Sequence, residues 1–545
     1  MKIWMRNVLF LASCVVASGL VAGRILERPQ FPEPKTFSAA AYQKDDFRNV
    51  VAQIDEAFAT QWKTSGVEPA GAAPDLAVAR RLSLALTGTI PSLEEAHAFE
   101  KHPAAEREQW WLTHLFEDRR FGDYLAERFA RIAVGVEDGP FIIYRRRRLV
   151  NWLSDQFMAN RPYDQIVRQM ITAEGIWTTK PEVNFITVTV DQNNKEEGPD
   201  ETKLGGRVAK AFLGVRLDCV QCHDDFMGGH WKQKDFHQLA AFFVQSEMSM
   251  TGVRDNAKKH YEVRYHGKNK PEPVLAHAPF NEKLMPADGP LRERLAAWVT
   301  HPDNRPFARA LVNRTWALLF NRPLHQPVDS IPLEGPWPAG MEILADDLIA
   351  HHFDVQRLIR VIAATKAFQR DSRSNDPEHP ITPDQEKVFA AFPVTRLRPE
   401  QMAGSLLQSA KLKTIDANSH VLVRIIRFFE QNDFIKRYGD AGEDEFGMTG
   451  GTIPQRLIMM NGKLVQERTK EDLVMNSATR ISAVAPNDDA AIEAAYLTTL
   501  SRPPTPEERK HFGEKLIRDP KIKRAAKMTD LFWTLINSTE FSWNH

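Results

Sequence analysis

The sequence predicts a mainly α-helical protein of two helical domains with a few short β-strands, and three observations predict it. Apolar residues recur at three- and four-residue intervals through most of residues 46–173 and again from Leu291 onward, the spacing that lines one helix face. Strand-like alternation is confined to short runs such as Phe185 to Val190 and Tyr261 to Tyr265. The 545 residues are 43% hydrophobic and 26% charged, an ordinary globular composition in a chain too long for one core.

Taken in order, residues 1–23 read as an export signal or membrane anchor, because Lys2 and Arg6 precede an apolar run from Val8 to Ala22. A run of about 15 residues is short of the roughly 20 that span hydrocarbon, which favours a cleaved signal over N-terminal membrane anchoring. Leu11-Ala12-Ser13-Cys14 also resembles a lipoprotein processing box. The expected location is therefore the periplasm or cell envelope. Residues 24–45 hold Pro29, Pro32 and Pro34 without helical spacing and read as a linker.

Residues 46–250 read as a helical domain. Its clearest helix start is Ser92-Leu93-Glu94-Glu95, where a hydroxyl and a carboxylate three residues later can satisfy free amides. A helix from about Thr202 to Leu213 leads to Cys219-Val220-Gln221-Cys222-His223, and another from Asp235 to Phe243 follows, so the CxxCH run lies between two helices. Residues 251–290, rich in Pro, Lys and Asn, form a boundary or surface excursion, and residues 291–545 a second helical domain. The stretch Leu84 to Glu95 is echoed by Thr498 to Glu508. Both spell a helix end, a proline turn and a capped new helix.

Lys+Arg and Asp+Glu both number 71. With no net charge there is no global attraction for a phosphate backbone, and nucleic acid is not an expected partner. Phosphate-binding glycine loops, Gly-x-Ser-x-Gly elbows and His-Glu-x-x-His helices do not occur in the sequence. Asp346-Asp347 and His351-His352 allow a carboxylate–imidazole metal site to be drawn on one helix, and Arg145 to Arg148 form a basic run able to meet an anion or solvent.

The sharpest chemistry lies in the Cys pair. Once Cys14 leaves with a signal, Cys219 and Cys222 are the two remaining thiols. Two sulfurs about one turn apart can form thioethers with the vinyl groups of haem while the adjacent His223 reaches the iron as its metal ligand, which gives haem c as the expected cofactor. The opposite face of the iron could be met by Met248 or Met250, and Trp231, with Phe236 and Phe243, could wall the ring. Zinc held by the cysteines and two of His223, His230 and His237 is the alternative, beside a Cys219–Cys222 disulfide or a free dithiol.

Several phrases carry a resemblance. Arg80 to Gly88 with Pro91 to Glu95, Phe212 to His223, and Trp231 to Phe243 resemble the second planctomycete cytochrome-type domain. Pro306 to Trp316, Pro327-Val328-Asp329, Ile453 to Leu457 and Tyr496 to Glu508 resemble its usual C-terminal partner, a helical domain of unknown function. The resemblance implies an exported bacterial protein associated with c-type cytochromes, with Cys219, Cys222 and His223 as the attachment set. Members often continue the motif with a second His followed by Pro, whereas His223 is followed here by Asp224, Asp225 and Phe226. The expectation is a single-haem electron carrier or redox sensor meeting a redox or cell-envelope protein partner. The alternatives are a haem-dependent or hydrolytic periplasmic enzyme, or a binding scaffold fixed by zinc or a disulfide.

Overall fold

Helices follow the apolar spacing along the chain, and a computed structural model describes residues 10, 12–14, 37–136, 144–190, 198–225, 231–265, 268–374, 376, 378–416, 419, 421–439, 446, 451–517 and 521–545. Nearly all of the expected export segment, most of the linker, and the zinc candidate His230 lie outside the described residues. Among the described residues no helix is long and apolar enough to cross a membrane.

Helix α1 (Asp45–Thr64) buries Phe47, Val50, Ile54, Phe58 and Trp62, one stripe at helical spacing. Helix α2 (Asp75–Thr87) is buried almost all round, which places it at the centre of the molecule, and ends at Gly88 in the left-handed conformation. The expected cap on α3 (Leu93–Lys101) is formed. Glu95 N–H donates to Ser92 Oγ at 3.1 Å and Ser92 N–H to Glu95 Oε2 at 2.7 Å. Helices α4 (Arg107–Glu117), α5 (Arg119–Val134), α6 (Arg146–Met158) and α7 (Tyr163–Thr172) complete the N-terminal layer, with α6 lying along α5.

The expected strand from Phe185 to Val190 is instead a single helical turn, Asn184–Thr187. Asn184 decides the matter. Its side chain donates to the carbonyls of Trp177 and Pro181 and accepts the N–H of Arg145, so local bonds and complete burial outweigh the β-branched residues. After it, α8 (Glu201–Arg207) widens into a π-helical turn, Val208–Leu213, that Gly214 ends at φ +63°.

Helix α9 (Gln233–Ala240) precedes two antiparallel pairs, β1 (Ser246–Ser249) with β2 (Gly252–Asp255) and β3 (Glu262–Val263) with β4 (Glu272–Pro273). Helices α10 (Leu291–Val299), α11 (Arg305–Phe320), α12 (Met341–Ala350) and α13 (Val355–Ala364) then pack back onto the N-terminal layer. Their residues share one hydrophobic core with it, running from Tyr42 to Phe392 and taking in Leu497.

A second core gathers residues between Leu397 and Phe541, together with Leu84 and Ile90. It is built by α14 (Pro399–Ser409), α15 (Val421–Tyr438), α16 (Ile453–Asn461), α17 (Lys463–Thr469), α18 (Ser477–Val484), α19 (Asp488–Leu500), α20 (Pro506–Ile517) and α21 (Arg524–Ile536). The echoed phrases are the same device twice. Helix α19 ends on left-handed Ser501, and Thr505 and Glu508 form a reciprocal cap on α20, as Gly88, Ser92 and Glu95 do earlier.

Candidate functional site

The CxxCH run begins in a short 3₁₀ turn, Asp218–Gln221, with Cys222 and His223 just past its end. A 3₁₀ turn has three residues per turn, so residues three apart stand over one another. Leu217 and Val220 share the inward edge, at 1% and 0% exposure. Cys219 and Cys222 share the outward edge, and both are exposed free thiols. The spacing of apolar and sulfur residues thus presents two thiols side by side.

The ring of His223 is oriented by its neighbour. Its Nδ1 lies 2.8 Å from the Asp224 carbonyl oxygen. A carbonyl can only accept, so Nδ1 carries the proton and, in the neutral ring, Nε2 carries the lone pair. Metal-binding imidazoles commonly have this arrangement, one nitrogen bonded to a backbone carbonyl and the other turned to the metal.

Helix α9 grips the run from outside. Gln233 Nε2 donates to the Gln221 carbonyl at 2.9 Å and His237 Nε2 donates to the same oxygen at 3.2 Å. Gln233 N–H also donates to Asp224 Oδ1 at 2.8 Å. Behind His237, its Nδ1 is 2.9 Å from Tyr261 Oη. Because Nε2 is the donor, Nδ1 must accept the phenol proton. Burial holds the imidazole below its ordinary pKa, which keeps this ring neutral, and burial also pushes the Tyr261 phenol up.

Trp231 is half-buried. Its carbonyl accepts from Asp225 N–H at 3.0 Å, and its ring stands 6.1 Å from Phe280, itself 5.0 Å from buried Trp298. Phe236 and Phe243 are buried core residues. Met248 pairs across the β1–β2 hairpin with Val253 and packs on the first core, whereas Met250 is fully exposed at the hairpin tip.

The residues fit a covalently attached porphyrin in their donor set, with paired outward thiols and an imidazole whose proton is on the far nitrogen. They are a poorer match to zinc. Both nitrogens of His237 are engaged, and among the described residues the one three-ligand cluster is Glu95, His114 and Asp118. Arg120 already occupies that cluster, 2.5 Å from Glu95 and 2.7 Å from Asp118. The Arg120 charge and the His114 contact hold the Glu95 carboxyl well below the usual range despite its burial. The pair drawn at Asp346–His352 is also spent on the protein, since Arg357 binds Asp347, Arg305 binds Asp346, and His351 faces Asp347 and Asp46. The basic run is tied down in part, with Arg146 forked onto Glu127.

Residues 53–248 match the family model PSCyt2. Its description is a protein of unknown function (DUF1549), and residues 291–424 match a second model, PSD1, also a protein of unknown function (DUF1553). Neither the curated proteins nor the solved structures gave a match. The PSCyt2 segment contains the whole 3₁₀ turn, α9 and Met248, while Met250 and Tyr261 fall beyond it.

Sequence reasoning missed the roles of Gln233 and Tyr261. The one available signal was that Gln233 and His237 are four apart and share a helix face. It also missed a polar cleft of about 800 Å³ between α7 and α10. Fully buried Arg292 forms its floor, bonded to Asp255, Glu174 and the carbonyls of Ile171 and Ala173. No spacing in the chain announces a side chain whose partners lie some 40 to 120 residues away.

Proposed function

We propose that this is an exported c-type cytochrome-like protein serving electron transfer or redox sensing, in which Cys219 and Cys222 would hold one covalent haem and His223 Nε2 would ligate its iron. The observation that carries the proposal is the 3₁₀ turn that sets both thiols outward on one edge beside an imidazole with its proton fixed on Nδ1. Bound haem supplies a one-electron iron couple. The chain's own work is to hold the attachment turn and fix the imidazole tautomer. Val220 and Leu217 anchor the turn in the core, Asp224 orients the ring, and Trp231 offers an apolar side wall. Met248 or Met250 would supply any thioether ligand to the iron, and a redox or cell-envelope protein is the proposed partner.

The test is expression with its own leader in a host with a c-type maturation system, followed by a pyridine haemochrome spectrum and intact mass. One haem per chain, retained through denaturing electrophoresis and lost when both cysteines are replaced by serine, is the expected result. A native mass without porphyrin on the peptide spanning Cys219 to His223 would sink the proposal.

A further inference from the structure

We propose that His237 and Gln233 are the positioning residues of the Cys219–His223 turn, with Tyr261 satisfying and holding the opposite ring nitrogen of His237. As the means of readying that turn for haem, this inference rests on the function proposed above.

The Gln221 carbonyl sits between the two cysteines, so its direction sets the twist of the turn that carries them. Two donors one helical turn apart on α9 converge on that oxygen, at 2.9 Å from Gln233 and 3.2 Å from His237, and use both of its lone pairs. The main-chain N–H of Gln233 holds Asp224, the residue whose carbonyl orients His223. One rigid helix thus fixes both the stretch between the thiols and the residue next to the imidazole. His237 is 6% exposed, so its ring is packed in place. Its own neighbours are Phe236, Tyr261 and Tyr265, at ring distances of 5.4, 6.0 and 5.9 Å.

Tyr261 matters because imidazole has two neutral tautomers. If Nδ1 carried the proton, Nε2 would present a lone pair to the Gln221 carbonyl and repel it. The Gln221 carbonyl, which can only accept, demands the proton on Nε2, and the phenol donating at 2.9 Å satisfies the Nδ1 lone pair left in that form. The device is a three-member relay of orientation, Tyr261 to His237 to Gln221. It reaches the cofactor turn from a segment beyond the matched PSCyt2 residues.

Wild type, His237→Leu, His237→Gln and Tyr261→Phe are compared in the full chain by two measurements. Covalent haem per chain comes from the haemochrome assay, and amide hydrogen exchange of the peptide spanning Cys219 to His223 is measured in haem-free protein. Loss of a hydrogen bond that orders a turn raises its opening about tenfold. His237→Leu should therefore exchange faster by that factor and attach less haem, while peptides from α1 and α19 keep wild-type exchange. His237→Gln, which retains an amide donor, should restore both, and Tyr261→Phe should fall between. Unchanged exchange in His237→Leu, or no rescue by glutamine, overturns the positioning role even when wild type carries haem. Wild type without haem defeats the function proposed above, yet the exchange arm still decides whether α9 holds the turn.

Discussion

Arg398 Nη2 donates to Tyr124 Oη at 2.7 Å, joining the start of α14 in the second core to α5 in the first. The phenol in turn faces Glu400 at 3.3 Å, and Arg128 of α5 pairs with the same carboxylate at 2.9 Å. Arg398 Nε closes the circuit onto Glu400 at 3.0 Å. All four side chains are buried, so the charges depend on close polar partners rather than on water.

Removing one charge should therefore cost far more than removing one hydroxyl. Glu400→Gln is expected to destabilise by about 3–5 kcal/mol, because it leaves the buried Arg128 and Arg398 without their shared counter-charge. Tyr124→Phe should cost about 1–3 kcal/mol. Urea midpoints of the two variants provide the check, and equal losses would contradict the network.

Glycines should respond to substitution by the space around them rather than by type. A Cβ on Gly404 would meet the Gly88 carbonyl oxygen at 2.3 Å, so Gly404→Ala should lose at least about 2 kcal/mol through overpacking. Gly66 has φ +64° with nothing within 4 Å, and Gly66→Ala should cost only the left-handed strain of about 1 kcal/mol. Gly513, inside α20 with open space around it, should gain about 0.5–1 kcal/mol on conversion to alanine. Thermal melts of the three variants give this ranking or refute it.

Glu108 gives a pH dependence of opposite sign to the paired acids. Burial pushes its carboxyl up to about 8, although Gln369 donates to it. Between its ordinary value and 8 the folded chain holds a proton that the unfolded chain has released. Its contribution therefore falls as pH rises through that window. Glu108→Gln should flatten the decline and leave a chain more stable than wild type at pH 8. Glu95 and Glu540, both held low by arginine partners, contribute stability above the ordinary carboxylate range that disappears as pH falls below it. Denaturation midpoints across pH 3–9 (about that span holds the onset of the acid limb and the whole alkaline limb) would show an acid limb kept and an alkaline limb lost in the variant.

The helix caps offer a smaller and cleaner effect. Ser92→Ala and Thr505→Ala each remove one member of a reciprocal pair, and each should cost about 1 kcal/mol. The sites sit on different helices, so the double variant should lose the sum.

What the chain reveals unaided depends on how local the physics is. The Ser92–Glu95 cap was legible because its partners are three residues apart, and α1 because its stripe lies within 20 residues. The cysteine pair was legible as spacing, but its presentation was not. The sequence suggested two sulfurs about one turn apart between two helices, whereas only the fold shows the 3₁₀ turn that sets the thiols on one edge. His237 stood out as a metal ligand candidate, and only the fold reveals that both its nitrogens are spent on Gln221 and Tyr261. Phe185 to Val190 misled because residue preference favoured a strand while Asn184 had three distant or backbone partners waiting. The Arg398 network joins residues 274 apart to one another, and contact at that range leaves no periodic trace.

Helix α2 carries Arg80 and Arg81 at 1% and 0% exposure, and their acceptors are the carbonyls of Thr499, Phe541, Phe368, Arg370 and His545. Arg81 can meet the Phe368 and Arg370 carbonyls once those residues are made, but the two acceptors of Arg80 lie 419 and 461 residues further along the chain. A nascent chain interrupted before residue 499 therefore holds the Arg80 guanidinium without either acceptor, and that group must remain in water.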